Sequence, residues 1–326
     1  MSNEKTTMVN LYCCGGTGTN IGKGFENVKQ EAGFAKINPI YIDTSKSNKS
    51  SEIPDERFYH IADLDGSGMF RKENSEPIQA HVRDILLAHK PQQFNIVLSS
   101  GGGGSGSVVA PTIVSEMLNR GENVIVLIVG VTNLGIALNN TINTIKSYEA
   151  ISRLRKKPVI AAYFENGAQR QDTDKQVTEC ISLLAAFFSG ENAELDTADI
   201  QNWIDFPKVT SSSPKLMAMT FKDDTNLQFE KGMYPLSAAT LTVEGDEAII
   251  DGIEYQVSGI VSKNIFAALK PKKAIHAVLV DGMIGSILSR LQKLYSDMQD
   301  KRSAAVSISQ IKISDNDVST DSGLVL

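Results

Sequence analysis

The chain has 326 residues, 41% hydrophobic and 21% charged, enough to bury a sizeable core and, at ~100–200 residues per domain, to form two domains. Lys and Arg number 32 against 38 Asp and Glu, and the net charge of −6 argues against a chain whose main work is neutralising nucleic-acid phosphates. The longest apolar runs, such as residues 123–130, fall far short of the ~20 residues that cross a bilayer, and the polar first seven residues lack signal-peptide architecture, so a cytoplasmic protein with no membrane or direct nucleic-acid partner is expected.

Six short apolar runs fill the first half, at residues 8–13, 37–42, 58–62, 95–99, 124–130 and 158–164, each followed by a turn or by a glycine-rich or polar loop. Helical segments separate them, the alternation of a parallel sheet covered on both faces. Next, Val177, Ile181, Leu184, Ala185 and Phe188 recur at helical spacing and predict a one-sided helix ending near Ser189-Gly190. Beyond Trp203, read as a packed core aromatic, shorter β-like runs at 215–221, 238–243, 254–261 and 274–280 precede an amphipathic stretch from Ile284 to about Arg302, which fits a second, smaller α/β domain. The end carries Asp315, Asp317 and Asp321 with no basic residue after Lys312, an acidic tail with a small apolar terminus. Three cysteines, two adjacent at Cys13 and Cys14, give neither pairs nor Cys-x-x-Cys spacing, which disfavours disulfides and structural zinc. His60, His81, His89 and His276 have no mutual metal spacing, and no Gly-x-Ser-x-Gly elbow offers a hydrolase nucleophile.

The sharpest local signal is Gly101-Gly102-Gly103-Gly104-Ser105-Gly106-Ser107, between an apolar strand and a helix expected to begin near Val108. Consecutive glycines let several backbone N–H groups turn inward and phosphate oxygens approach the main chain, and the following helix adds its positive end. A second glycine loop, Gly15-Gly16-Thr17-Gly18-Thr19-Asn20, follows the first strand and also opens a helix. Two such loops at one sheet edge would grip a single polyphosphate from two sides. The Walker A spacing fails around Gly22-Lys23, with Thr17 and Gly24 at the flanking positions. The dinucleotide fingerprint starts at Gly16 and Gly18, with Asp43 at a suitable distance for a ribose contact, but Ile21 stands where its third glycine belongs. A dinucleotide-dependent oxidoreductase also leaves the loop at 101–107 without a use.

Gly102-Gly103-Gly104-Ser105-Gly106-Ser107, followed by Ala110-Pro111, resembles the GGG-[ST]-G-[ST] signature of the tubulin/FtsZ superfamily of GTPases, most closely its phage-encoded tubulins. Val108 departs from the glycine usual there. The resemblance covers the whole chain and implies a Rossmann-type parallel-sheet GTP-binding domain over residues 1–170, a central helix and catalytic loop over 171–205, a C-terminal α/β domain over 206–313 and an acidic tail over 314–326. It puts Gly15 to Asn20 in the first nucleotide loop, with Asn20 near the guanine base, and matches Asp43-Thr44 and the 66–72 stretch to further phosphate-side loops. By the same resemblance Asn166 and Asp174 contact the base or sugar. A carboxylate suits guanine because N1–H and the 2-amino group are both donors, although each residue also reads as a simple turn or helix-entry polar group.

Leu195-Asp196-Thr197-Ala198-Asp199-Ile200 resembles the D-x-A-D core of the family's catalytic loop, with Glu194 replacing an asparagine. Two carboxylates three residues apart can face one way and orient a water, while Asp-x-x-Asp is equally a helix-capping pattern. The family places phosphate loops and paired aspartates on opposite ends of the subunit. The resemblance therefore implies hydrolysis of GTP to GDP with Mg²⁺ at a head-to-tail interface, a polar filament in the host bacterial cytoplasm that positions phage DNA, and a tail that docks on a neighbouring subunit or stays unordered alone. A GTP-regulated binding module that does not polymerise is the alternative.

Overall fold

The computed structural model describes residues 7–26, 33–62, 64–167, 169–190, 192, 194–223, 227–244, 248–269 and 274–308, with side chains as far as residue 304. The acidic tail expected at 314–326 lies outside the described residues. The first half alternates as its apolar runs predict: β1 (Met8–Cys14), α1 (Gly15–Gly22), β2 (Lys36–Asp43), β3 (Phe58–His60), α2 (Arg71–Ala88), β4 (Phe94–Ser100), α3 (Gly106–Asn119), β5 (Val124–Gly130), α4 (Gly135–Arg155) and β6 (Val159–Glu165). Then follow α5 (Arg170–Phe187), α6 (Thr197–Ile204), β7 (Leu216–Lys222), β8 (Tyr234–Thr242), β9 (Tyr255–Ile260), α7 (Lys263–Leu269), β10 (Ile275–Asp281) and α8 (Met283–Ile308). The expected strands lie within a residue or two of these, except that the third is shorter and β8 begins four residues before the run expected at 238–243.

The described strands form one sheet in the order β3-β2-β1-β4-β5-β6-β7-β10-β8-β9, parallel except for β10, which runs against both its neighbours. The first six follow the doubly wound order, in which the chain starts at the centre, builds outward through β2 and β3, and returns to lay β4 on the other side of β1. That reversal leaves a crevice beyond the carboxyl ends of β1 and β4, the place where open α/β sheets receive ligands. β4 and β5 are buried along their whole length, as strands covered on both faces must be.

Two apolar layers sandwich the sheet. On one face Ile21 and Phe25, the α5 stripe of Val177, Ile181, Leu184 and Ala185, and Trp203 of α6 form one core. On the other, Ile78 and Ile85 of α2, Val109 and Ile113 of α3, and Leu138 and Ile145 of α4 form a second, against which α8 lays Ile287, Leu291 and Leu294. The stripe predicted for the central helix is buried, Phe188 included, and Phe188 stacks on Phe94 with ring centroids 4.3 Å apart. Phe188 is the C-cap of α5 and closes the apolar seam at its end.

Trp203 is fully buried, as expected of a core aromatic. Replacing it with alanine removes the largest side chain of that core, and Trp203→Ala is expected to cost ~3–5 kcal/mol of stability, read as a lower urea midpoint at unchanged slope.

Candidate functional site

The two glycine stretches meet at the crevice between β1 and β4, which pair in parallel. The first is not an extended loop: residues 15–20 are helical and form the opening turns of α1, and α3 begins at Gly106, two residues before the predicted start. In both helices the cap residue, Cys14 or Ser105, makes no side-chain capping bond, and neither first turn contains an acid. The first N–H groups of a helix have no α-helical acceptor; α3 turns Val108 N back on the Ser105 carbonyl at 3.0 Å, and two positive helix ends converge at the crevice.

Glycine is required here by contact. A Cβ on Gly15 would stand 2.8 Å from the Gly106 nitrogen, one on Gly106 2.5 Å from the Cys14 carbonyl oxygen, and one on Gly18 2.8 Å from the Leu98 carbonyl oxygen. Gly15 also takes a positive φ of 72°, which other residues rarely adopt. Both flanks are closed by neighbouring loops. Gly104 packs against Ser67 and Met69, Gly16 lies against Asn48, and the Thr44 and Ser105 hydroxyls hydrogen-bond at 2.6 Å.

Polar residues of α4 support the glycine stretch from beneath. Asn140 Nδ2 donates to the Gly102 carbonyl at 3.4 Å and to the Met69 carbonyl at 3.0 Å, and Thr144 Oγ1 donates to the Gly101 carbonyl at 3.0 Å. Thr141 Oγ1 accepts from Val131 N at 3.2 Å. All three side chains are buried. Sequence reasoning passed over them. Their signal was a polar cluster, Asn140, Thr141 and Thr144, at i, i+1 and i+4 on a helix that must bury one face.

Asp43 acts within its own turn. Its Oδ1 accepts from Thr44 N at 2.7 Å and Ser45 N at 3.3 Å, and its Oδ2 accepts from Asn48 Nδ2 at 2.6 Å. It shapes the 44–48 wall beside α1 instead of presenting a free carboxylate. Asn166 follows β6, held by its N–H to the Gly130 carbonyl at 3.0 Å, with its buried Oδ1 lacking a hydrogen-bond partner among the described residues. Asp174 is half-buried on the first turns of α5, where burial raises its carboxyl above the ordinary aspartate range and Arg170 partly opposes the shift. Asn20 is exposed at the end of the first glycine stretch. α1 and α5 touch, so Asn20, Asn166 and Asp174 share the end of the sheet that carries the glycines.

Asp196 and Asp199 lie elsewhere. α5 returns toward the start of the strands: Ala35 N donates to the Ala185 carbonyl at 2.9 Å just before β2, and a Cβ on Gly190 would stand 3.0 Å from Thr7 Oγ1 just before β1. At the far end of α6, Asp205 pairs with Lys157, which precedes β6, at 3.3 Å. The aspartate segment is thus anchored on both sides to the amino ends of the parallel strands, a strand length of ~20 Å from the glycines. Asp196 is the N-cap of α6, accepting from Asp199 N at 2.9 Å, while Asp199 accepts from Asp196 N at 3.2 Å. The capping pattern visible in the sequence therefore forms. It leaves one oxygen of each carboxylate uncommitted to the box, with Asp196 exposed and Asp199 half-buried.

A doubly wound sheet with two glycine-built helix ends at its switch point and a returning central helix defines a tubulin-type architecture. No protein-family model matches the chain. It is 29% identical to the phage tubulin-like protein of Pseudomonas phage phiKZ, over all of this chain and 99% of that one. A protofilament structure of TubZ from bacteriophage PhiKZ matches with 28% identity and a TM-score of 0.83, covering 98% of this chain and 99% of that one. The GDP structure of the phage tubulin PhuZ matches in fold, with 21% identity and a TM-score of 0.84 over 98% and 100% of the chains. The likeness to the tubulin/FtsZ superfamily holds, and within it the chain's homologues are phage tubulin-like proteins.

Gly106→Ala forces a methyl group into the Cys14 carbonyl, and a loss of about 1–3 kcal/mol of stability, read as a lower urea midpoint, is expected. Gly24→Ala meets open space and is expected not to lower that midpoint.

Proposed function

We propose that the chain is a GTP-hydrolysing, filament-forming phage tubulin, in which residues 1–170 bind the nucleotide, 171–205 carry the hydrolytic loop, and 206–313 complete the subunit. The observation that carries this reading is the separation of the anion cradle from the Asp196–Asp199 pair by the length of the sheet. A chain with this layout cannot bring its own aspartates to its own bound nucleotide. A second copy stacked head to tail can, and such a heterologous contact repeats without closing.

In this reading the N–H groups of Gly15 to Gly18 and Gly103 to Ser107 hold the phosphates and face the charge that develops on them, while Asn20, Asn166 and Asp174 hold the base and sugar. The free oxygens of Asp196 and Asp199 from the next subunit orient a water. The water oxygen bonds to the γ-phosphorus, the β–γ anhydride bond breaks, and the water's proton passes to a carboxylate or phosphate oxygen, giving GDP and phosphate. Among the described residues no group of three or more His, Cys, Asp or Glu side chains is arranged to hold a metal, and Asp43 is committed to its turn. Mg²⁺ therefore fits this site as an ion carried by the phosphates and water, neutralising phosphate charge. Cargo positioning in the host cytoplasm belongs to the same proposal; no described helix is long and apolar enough to cross a membrane.

The tail has a matching surface. A cleft of about 860 Å³ between α2, α3 and α4 is lined by Arg71, Lys72, Arg83 and Arg155, and its acid, Glu116, pairs with Arg120 at 3.0 Å. Asp315, Asp317 and Asp321 of a neighbouring copy complement it in charge. The capping box favours the rival reading, a GTP-regulated module that does not polymerise, because it gives the aspartates a structural role.

Asp199→Asn keeps an oxygen for Asp196 N and removes the carboxylate. It is expected to retain GTP binding, lower turnover at least tenfold (about 1.4 kcal/mol) and prolong filaments seen by electron microscopy. Wild-type turnover is expected to rise faster than linearly with protein concentration, and turnover strictly proportional to concentration down to the monomer supports the module instead. Deleting residues 314–326 is expected to leave GDP affinity unchanged and abolish pelleting with GTP; undiminished pelleting counts against the docking.

A further inference from the structure

Arg71 opens α2 directly after the loop that covers Gly104, yet its side chain serves α4. Its guanidinium donates to the Asn140 carbonyl at 3.2 Å, to Thr144 Oγ1 and to Ser147 Oγ at 3.1 Å. The residue is half-buried, and desolvation pulls the guanidinium below its ordinary pKa. No carboxylate pairs with it among the described residues. A partly desolvated guanidinium held by neutral acceptors alone has no ion pair to offset the solvation it gives up.

Its partners connect it to the glycine stretch. Thr144 has a single hydroxyl proton, within reach of the Asn140 carbonyl at 2.8 Å and the Gly101 carbonyl at 3.0 Å; accepting from Arg71 commits its oxygen, and Arg71's own bond to the Asn140 carbonyl favours turning that proton to Gly101. Asn140, whose own carbonyl Arg71 binds, holds the Gly102 carbonyl. A trans peptide points its C=O and the next N–H in opposite directions. Anchoring the Gly102 carbonyl on α4 therefore aims the Gly103 N–H away from α4, toward the open side of the loop.

Resting on the nucleotide reading above, we propose that Arg71 is a positioning residue for the phosphates. Through Thr144 and Asn140 it fixes the peptide planes of Gly101 and Gly102, and its uncompensated positive charge beneath the loop favours an anion above it. In this reading the polyphosphate supplies a counter-charge that the described residues of the same subunit do not.

The test is calorimetric titration of the full chain with GTP, GDP and guanosine, using wild type, Arg71→Gln, Arg71→Lys and Thr144→Val. If wild type binds none of the three, the nucleotide reading fails, independently of this inference. If it binds, Arg71→Gln is expected to weaken GTP about tenfold or more and GDP by less, with guanosine unchanged, because only phosphates sense the charge. Arg71→Lys should recover part of the loss, since it keeps the charge but not the three-way bridge. Thr144→Val should weaken both nucleotides while preserving the guanidinium. Equal loss for all three ligands would mean that Arg71 merely supports the pocket, and unchanged GTP affinity in folded Arg71→Gln would mean that it does not act on phosphate; either overturns the proposal. Should Arg71→Gln not fold, Thr144→Val decides: selective loss of phosphate-bearing ligands supports the proposal and unchanged affinity refutes it.

Discussion

The rest of the structure depends on two helix amino ends being brought backbone to backbone at the carboxyl edge of β1 and β4. Only residues without a Cβ permit it, since Gly15 and Gly106 sit within 2.8 Å of where a methyl group would clash. Two partial positive ends placed together repel, and the repulsion is offset by the pairing of β1 with β4 and by the apolar layers on either face. The outcome is a concentration of helix-end N–H groups whose partial positive charge an anion relieves and a neutral ligand does not.

The second governing length is that of a strand. α5 packs along the sheet from the end carrying the glycines to the opposite end, where Gly190 meets Thr7, and it delivers the aspartate segment there. In the proposed reading this distance turns hydrolysis into a property of two copies. The capping box is compatible with that role: each aspartate spends one oxygen on the other's backbone, which fixes the direction of the remaining one. A cap and a water-orienting pair are then one arrangement, provided that a neighbour brings phosphate to it.

The polar contacts of α4 join the crevice to the groove between α2, α3 and α4. Arg71 lines that groove and also reaches the residues holding Gly101 and Gly102. In the proposed reading an acidic segment bound in the groove meets the same guanidinium, so occupancy of groove and crevice is electrostatically linked and, by thermodynamic necessity, reciprocally so.

Much of this was legible in the sequence because it rests on local rules. Apolar runs of strand length, the helical spacing of Val177, Ile181, Leu184 and Ala185, the glycine run before α3 and the Asp-x-x-Asp cap are each set by neighbours a few residues apart. The sequence alone therefore determined the alternating α/β pattern, the two glycine-rich stretches and the capping pair. Tertiary structure decided that residues 15–20 are helix, that Asp43 is consumed by its turn, that Asn140, Thr141, Thr144 and Arg71 converge beneath the glycines, and that the aspartates stand a strand length away. Those outcomes depend on contacts between segments tens of residues apart, fixed by strand order and the return path of α5, and no local periodicity encodes them.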